Sequence, residues 1–142
     1  MLVFSTKHWP LVVVVPQRLD AADVAEFMAA CDACYARRER FASLVDLTGV
    51  SEPPSAVQRK VLSDWAALRT VDMQRCSVAT ALVVQSPVVR GALTALQWVV
   101  TSPRPVRVVA TQHEGTTFLL EALAEAGIPV PKSVHAYHAS LA

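Results

Sequence analysis

Residues 43–51 read Ser43-Leu44-Val45-Asp46-Leu47-Thr48-Gly49-Val50-Ser51 and lead into Glu52-Pro53-Pro54-Ser55. The apolar run predicts a buried strand that delivers an acid, a turn and a helix start to one edge of a sheet. Proline suits the first turn of a helix because its missing N–H would have no partner there, and Ser55 is a preferred capping residue. In an open α/β sheet, ligands and partners meet the protein at the carboxyl ends of the strands. The stretch therefore indicates both a fold class and the edge at which function is expected.

On the N-terminal side, Leu11 to Val15 lies between Pro10 and Pro16 and predicts a strand covered on both faces. Leu2 to His8 predicts an edge strand pairing with it, with Trp9 and Pro10 at the turn. Asp20 is placed to cap a helix whose buried face is Val24, Phe27, Met28, Cys31, Cys34 and Tyr35. Arg37, Arg38 and Arg40 are expected to close that helix at its negative end, and Phe41 to Thr48 forms the next strand.

On the C-terminal side, a helix starting at Pro53 to Ser55 is expected to bury Val57, Val61, Leu62, Trp65 and Leu68. Gln58, Arg59, Lys60, Asp64 and Arg69 would then face water. Ser77 to Gln85 predicts a strand, and Ser86-Pro87 a helix start followed by Val88, Val89, Ala92, Leu93, Leu96 and Val99 or Val100. Pro103 and Pro105 end that helix before a strand at Val106 to Thr111. Thr111 and Glu114 have capping-box spacing, and a last helix runs through Phe118, Leu119, Leu120, Ala122 and Leu123 to Gly127. Residues 128–142 show no periodicity and are expected to form a loosely attached tail on a domain spanning residues 1–127. The alternation predicts an α/β domain: a five-stranded, mostly parallel sheet with an N-terminal edge strand. About four helices would cover its two faces.

Composition narrows the function classes. The chain has 142 residues, the length of one domain, with 53% apolar residues, 18% charged and a net charge of +1. That balance gives no reason to expect nucleic acid or an anionic membrane as partner. Lys7, His8 and Pro10 interrupt any signal-peptide core, and no apolar run approaches the ~20 residues needed to span a bilayer. With three cysteines in all, the chain is not a disulfide scaffold, and a cytoplasmic location is expected.

The order strand, strand, helix, then strand and helix in alternation, with Val45-Asp46-Leu47-Thr48-Gly49-Val50 at a strand end, resembles the STAS domain of bacterial anti-sigma-factor antagonists and the related Sec14-like fold. The resemblance covers Leu2 to Gly127. It implies a regulatory domain without enzymatic activity that binds another protein. In such antagonists the segment after the strand carries a phosphorylatable serine in an Asp-Ser-x-Gly-type motif. Here Glu52-Pro53-Pro54-Ser55 stands there without the aspartate or the glycine, and Ser55 falls near the expected place. A phosphate at Ser55 would meet the free N–H groups of a helix start.

Other chemistry is sparse. Cys31-Asp32-Ala33-Cys34 lies well inside its helix on the apolar face, which makes the pair core residues rather than a redox motif. Cys76 has no nearby second ligand, so no metal site is expected. Asp46 at a strand end is read first as a residue that bonds its own turn. His113 and Glu114 sit near the last strand, and His135 and His138 are three apart in the tail, with nothing completing a ligand set. No Gly-x-Gly-x-x-Gly, P-loop or Gly-x-Ser-x-Gly occurs, and no cofactor is expected. Trp65 is read as core and Trp98 as a boundary residue able to anchor a partner.

The expected function is therefore protein binding at the Thr48–Ser55 loop and the outer face of the following helix. The candidate residues are Asp46, Thr48, Ser51, Ser55, Gln58 and Arg59. A homodimer is compatible with this reading. The alternative is a carrier of a lipid or small apolar ligand, held between the Val- and Leu-rich helices and the sheet. An enzyme would have to join Asp46 and His113 with Ser55 or Thr48 at one sheet edge.

Overall fold

A computed structural model describes residues 2–99 and 104–142, with residues 95–99 described by backbone alone. Five strands form one sheet: β1 (Val3–His8), β2 (Leu11–Val15), β3 (Phe41–Asp46), β4 (Ser77–Val83) and β5 (Val106–Val109). β1 pairs antiparallel with β2 around Trp9 and Pro10, and the other neighbours pair in parallel, in the order β1-β2-β3-β4-β5. The helices are α1 (Ala21–Ala36), α2 (Ala56–Leu68), α3 (Thr70–Cys76), α4 (Pro87–Val99), α5 (Gln112–Glu125) and α6 (Lys132–Ser140).

Strand order dictates where the helices go. Parallel strands joined by right-handed crossovers, each stepping in the same direction, place every crossover helix on one face. Thus α1 to α4 share a face, and the chain after β5 must cover the other with α5 and α6. The strands alternate accordingly. Leu44, Ala79, Ala81 and Val83 pack with Leu119 and Leu123 of α5 and Val134 of α6, whereas Val12, Val14 and Phe41 pack with Cys34 and Cys76.

The two faces differ in closeness. On the α5 face, a Cβ at Gly115 would stand 2.7 Å from Leu44 Cδ1, 3.2 Å from Val109 Cγ2 and 3.3 Å from Ala81 Cβ. Only glycine lets this helix lie so near the sheet. On the other face the buried residues divide into one cluster around Val12, Val14, Cys34, Phe41 and Cys76 and another around Leu47, Val50, Val84 and Val89.

Several expectations are corrected. There are six helices, not four, among the described residues. The additional α3 follows α2 directly across Arg69, too short to show a period of its own. The expected loose tail contains α6, whose Val134 is fully buried and whose Tyr137 packs on the core. Two anchoring residues suffice once the α5 face of the sheet needs cover, and so few leave no periodic signature. α1 ends at Ala36, ahead of its arginines, and Arg38 takes a left-handed φ of 56°. Its Arg37 instead lies over the Trp9 ring, with Cζ 3.6 Å from the centroid. The side chains of Leu96, Trp98 and Val99 or Val100, and Pro103, lie outside the described residues.

The inner face of α2 is also different. Val57, Val61 and Leu68 are exposed, and Leu62, Trp65, Ala66 and Arg69 turn inward. Asp32 of α1 decides this: it accepts from Trp65 Nε1 at 3.2 Å, Arg69 Nε at 2.7 Å and Arg69 Nη2 at 3.1 Å. A bidentate arginine–carboxylate pair has a fixed geometry, and here it sets the helix rotation against the apolar pattern.

Candidate functional site: the β3–α2 loop and its cleft

β3 ends at Asp46, and the chain turns at once. Asp46 Oδ1 accepts from Thr48 N at 2.9 Å and Thr48 Oγ1 at 2.7 Å, so the acid closes its own turn. Its Oδ2 accepts from Gln112 Nε2 at the start of α5, and Gln112 Oε1 accepts from Tyr137 Oη of α6 at 3.0 Å. Asp46 is 7% exposed, and it ties the loop to both helices on the far face. Among the described residues its partners are Thr48 and Gln112; His113 does not reach it. His113 instead stacks on His138, ring centroids 4.6 Å apart, while His135 is exposed.

Beyond the turn, Val50 and Pro54 are buried and hold the loop down, leaving Thr48, Gly49, Ser51, Glu52 and Ser55 in solvent. Ser55 is the N-cap of α2: its Oγ accepts from Gln58 N at 3.2 Å. Arg59 Nη1 donates to Pro54 O at 2.7 Å, which brings a guanidinium beside the helix start.

Facing this loop is the β2–α1 loop, Gln17 to Asp20. It is held by Asp20 Oδ1, which accepts from Asp23 N at 2.9 Å, and by Asp23 Oδ2, which accepts from Arg18 N at 3.1 Å. Between the two loops lies an open cleft of about 960 Å³, bordered by Arg18, Asp20, Ser51, Glu52, Gln58 and Arg59. The strand order never reverses among the parallel strands, so the cleft is not a switch-point crevice. It arises between adjacent βα loops at the carboxyl ends of β2 and β3.

The structure thus brings four of the predicted residues, Ser51, Ser55, Gln58 and Arg59, to one cleft, and Asp46 and Thr48 to the turn behind it. Gln58 and Arg59 are half-buried and face the cleft, not the outer face of α2 as the sequence suggested. The residues that do occupy the outer face, Val57, Val61 and Leu68, have the apolar character that predicts a core position. The link from Asp46 through Gln112 to Tyr137 had no sequence signal, because its members come from three separate elements.

The cysteines are free, and burial pushes the thiols of Cys31, Cys34 and Cys76 up, which keeps them protonated. Among the described residues no group of three or more His, Cys, Asp or Glu is placed to hold a metal ion, and no helix is long and apolar enough to cross a membrane.

With this geometry in view, the chain is similar to the crystal structure of an anti-sigma factor antagonist from Mycobacterium paratuberculosis. The two superpose with a TM-score of 0.55 at 19% identity, over 84% of this chain and 93% of that one. The fold is STAS-like. No protein-family model matches the chain, and no curated protein sequence matches it. At this identity the similarity carries the α/β architecture, with β1 at the sheet edge, and leaves the role of each loop residue to its own chemistry.

Proposed function

We propose that this protein is a non-enzymatic regulatory or scaffold domain that works by binding another protein, through the Thr48–Ser55 loop and the exposed face of α2. The observation that carries this reading is the surface of α2. Val57, Val61 and Leu68 are 69%, 38% and 78% exposed. Their spacing puts them within one narrow arc of the helix, directly after the exposed Ser51 and Ser55. Large apolar side chains scattered singly need no explanation, but a stripe beside a polar loop is the pattern of an interface core with its rim. The similar solved structure is an anti-sigma factor antagonist, and regulation through a protein partner is the role proposed here.

Ser55 supplies a switch for this surface. Phosphorylation would add about −1.5 to −2 charges at the N-cap, against the free N–H groups of the first turn and near Arg59. The same group would place strong charge beside Val57 and desolvate poorly under a partner.

The test is capture from native lysate with wild-type protein, Val61→Glu, Ser55→Glu and, as a control on a distant helix, Glu125→Lys. A stoichiometric protein partner retained by wild type and the control but lost by Val61→Glu supports the reading; loss with Ser55→Glu adds the switch. A partner held equally by all four proteins, each folded by circular dichroism, refutes this surface. Self-association abolished by Val61→Glu would identify the partner as a second copy.

A further inference from the structure

The looser face of the sheet holds space that the described residues do not fill. Two apolar hollows lie between the sheet and the α1–α4 layer. One, of about 180 Å³, is walled by Leu19, Val24, Leu62, Leu82, Val89 and Leu93; the other, of about 160 Å³, by Phe4, Cys31, Phe41, Ser43, Trp65 and Met73. They adjoin across Val14, Phe27, Val45 and Thr80, which border both. This is where the buried residues of that face divide into two clusters instead of forming one. Protein interiors are close-packed, with few voids larger than a water molecule, so two adjoining hollows of this size in a small domain call for an occupant.

Size and lining define that occupant. An apolar cavity of about 150 Å³ stays dry and takes a benzene-sized molecule. Each hollow is just above that volume, and the two together only reach the ~300 Å³ at which pockets for drug-sized ligands begin, which rules out a two-chain lipid. The walls are mostly aliphatic and aromatic; Tyr35, Ser43, Ser77 and Thr80 bring hydroxyls to the second hollow, and Asp23 borders the first. Ser43 and Thr80, register partners on β3 and β4, both border the second hollow, and neither hydroxyl has a hydrogen-bond partner among the described residues.

We infer that this space is a binding site for a compact, single-ring apolar molecule carrying one hydroxyl, whose ring sits against Phe27 and Val45 and whose hydroxyl meets Ser43 and Thr80. The site does not use the α2 stripe and meets the proposed protein-binding loop only at Pro54, so the two readings are tested by different residues.

The experiment titrates the full-length protein with p-cresol and, separately, with toluene, following the methyl resonances of Val14, Val45, Leu82 and Leu93 by NMR. Saturable shifts confined to these methyls and their neighbours are expected with both probes. Thr80→Val, close in volume to the residue it replaces, should weaken p-cresol by roughly fivefold, the worth of one hydrogen bond, and leave toluene unchanged. Absence of saturable shifts in wild-type protein at millimolar probe would overturn the site. Equal effects of Thr80→Val on both probes would overturn the role of the hydroxyl pair. Because the first readout is made on the unaltered chain, an unstable variant does not remove the test.

Discussion

Asp46 separates a structural acid from a catalytic one, and its bonding pattern predicts how three substitutions will behave. The carboxylate is 7% exposed and accepts from Thr48 N, Thr48 Oγ1 and Gln112 Nε2. Hydrogen bonds to a charged acceptor contribute about 1.5–3 kcal/mol each. In Asp46→Ala the two donors of the exposed Thr48 turn to water, the part-buried Gln112 loses its partner, and release from burying a carboxylate offsets some of the loss. A net destabilisation of about 2–3 kcal/mol is expected. Asp46→Asn keeps Oδ1 for Thr48 and places an NH2 opposite Gln112. Gln112 can answer by turning its amide, offering Oε1 to Asn and Nε2 to Tyr137 Oη, which accepts as readily as it donates. The cost should fall to about 1 kcal/mol. Gln112→Glu alone sets two carboxylates against each other and should be worse than Asp46→Asn. The double variant Asp46→Asn/Gln112→Glu restores a donor facing an acceptor at both links and should recover most of the loss. Urea unfolding of the four proteins, read as a double-mutant cycle at pH 7, measures the coupling. The reasoning is refuted if Gln112→Glu is as stable as wild type, or if the double variant shows the simple sum of the two single losses.

Two glycines predict opposite outcomes for the same change. Gly115→Ala gains about 1 kcal/mol of helix propensity but drives a methyl into Leu44, Val109 and Ala81, where overpacking costs about 1–3 kcal/mol, so thermal unfolding should occur earlier. At Gly91 of α4 a Cβ meets nothing within 4 Å among the described residues, and Gly91→Ala should raise stability by up to about 1 kcal/mol in the same assay. The hydrogen bond from Arg69, with a further one from Trp65, holds the Asp32 carboxyl below its ordinary range. A carboxylate depressed in the folded state contributes stability that is present above the unfolded value near pH 4 and is lost as pH falls through the folded value. Asp32→Asn should therefore reduce the acid sensitivity of unfolding below about pH 4, with little change in slope between pH 6 and 8.

Much of the architecture was legible along the chain. Pro10 and Pro16 bracket β2, Asp20, Ser55 and Thr111 cap their helices as their side chains permit, and the β3 run ends in the acid that closes its turn. These signals are local: a cap or a β-branched run states its preference to residues a few positions away. The candidate loop was legible for the same reason, since the strand end, the turn and the helix start adjoin in sequence.

Local chemistry thus determined the five strands, the helices α1, α2, α4 and α5, their order, and where the exposed loop falls. Tertiary structure alone decided the rotation of α2, the docking of α6, the closeness of α5 and the open space beneath α1 and α2. Each of these depends on partners far apart in sequence: Asp32 with Arg69, Val134 with the sheet, Gly115 with Leu44. An apolar stripe states that a helix has a face to bury. Where a carboxylate on a neighbouring helix offers a guanidinium and an indole better bonds, it is that contact which selects the face, and Val57, Val61 and Leu68 are left to the surface.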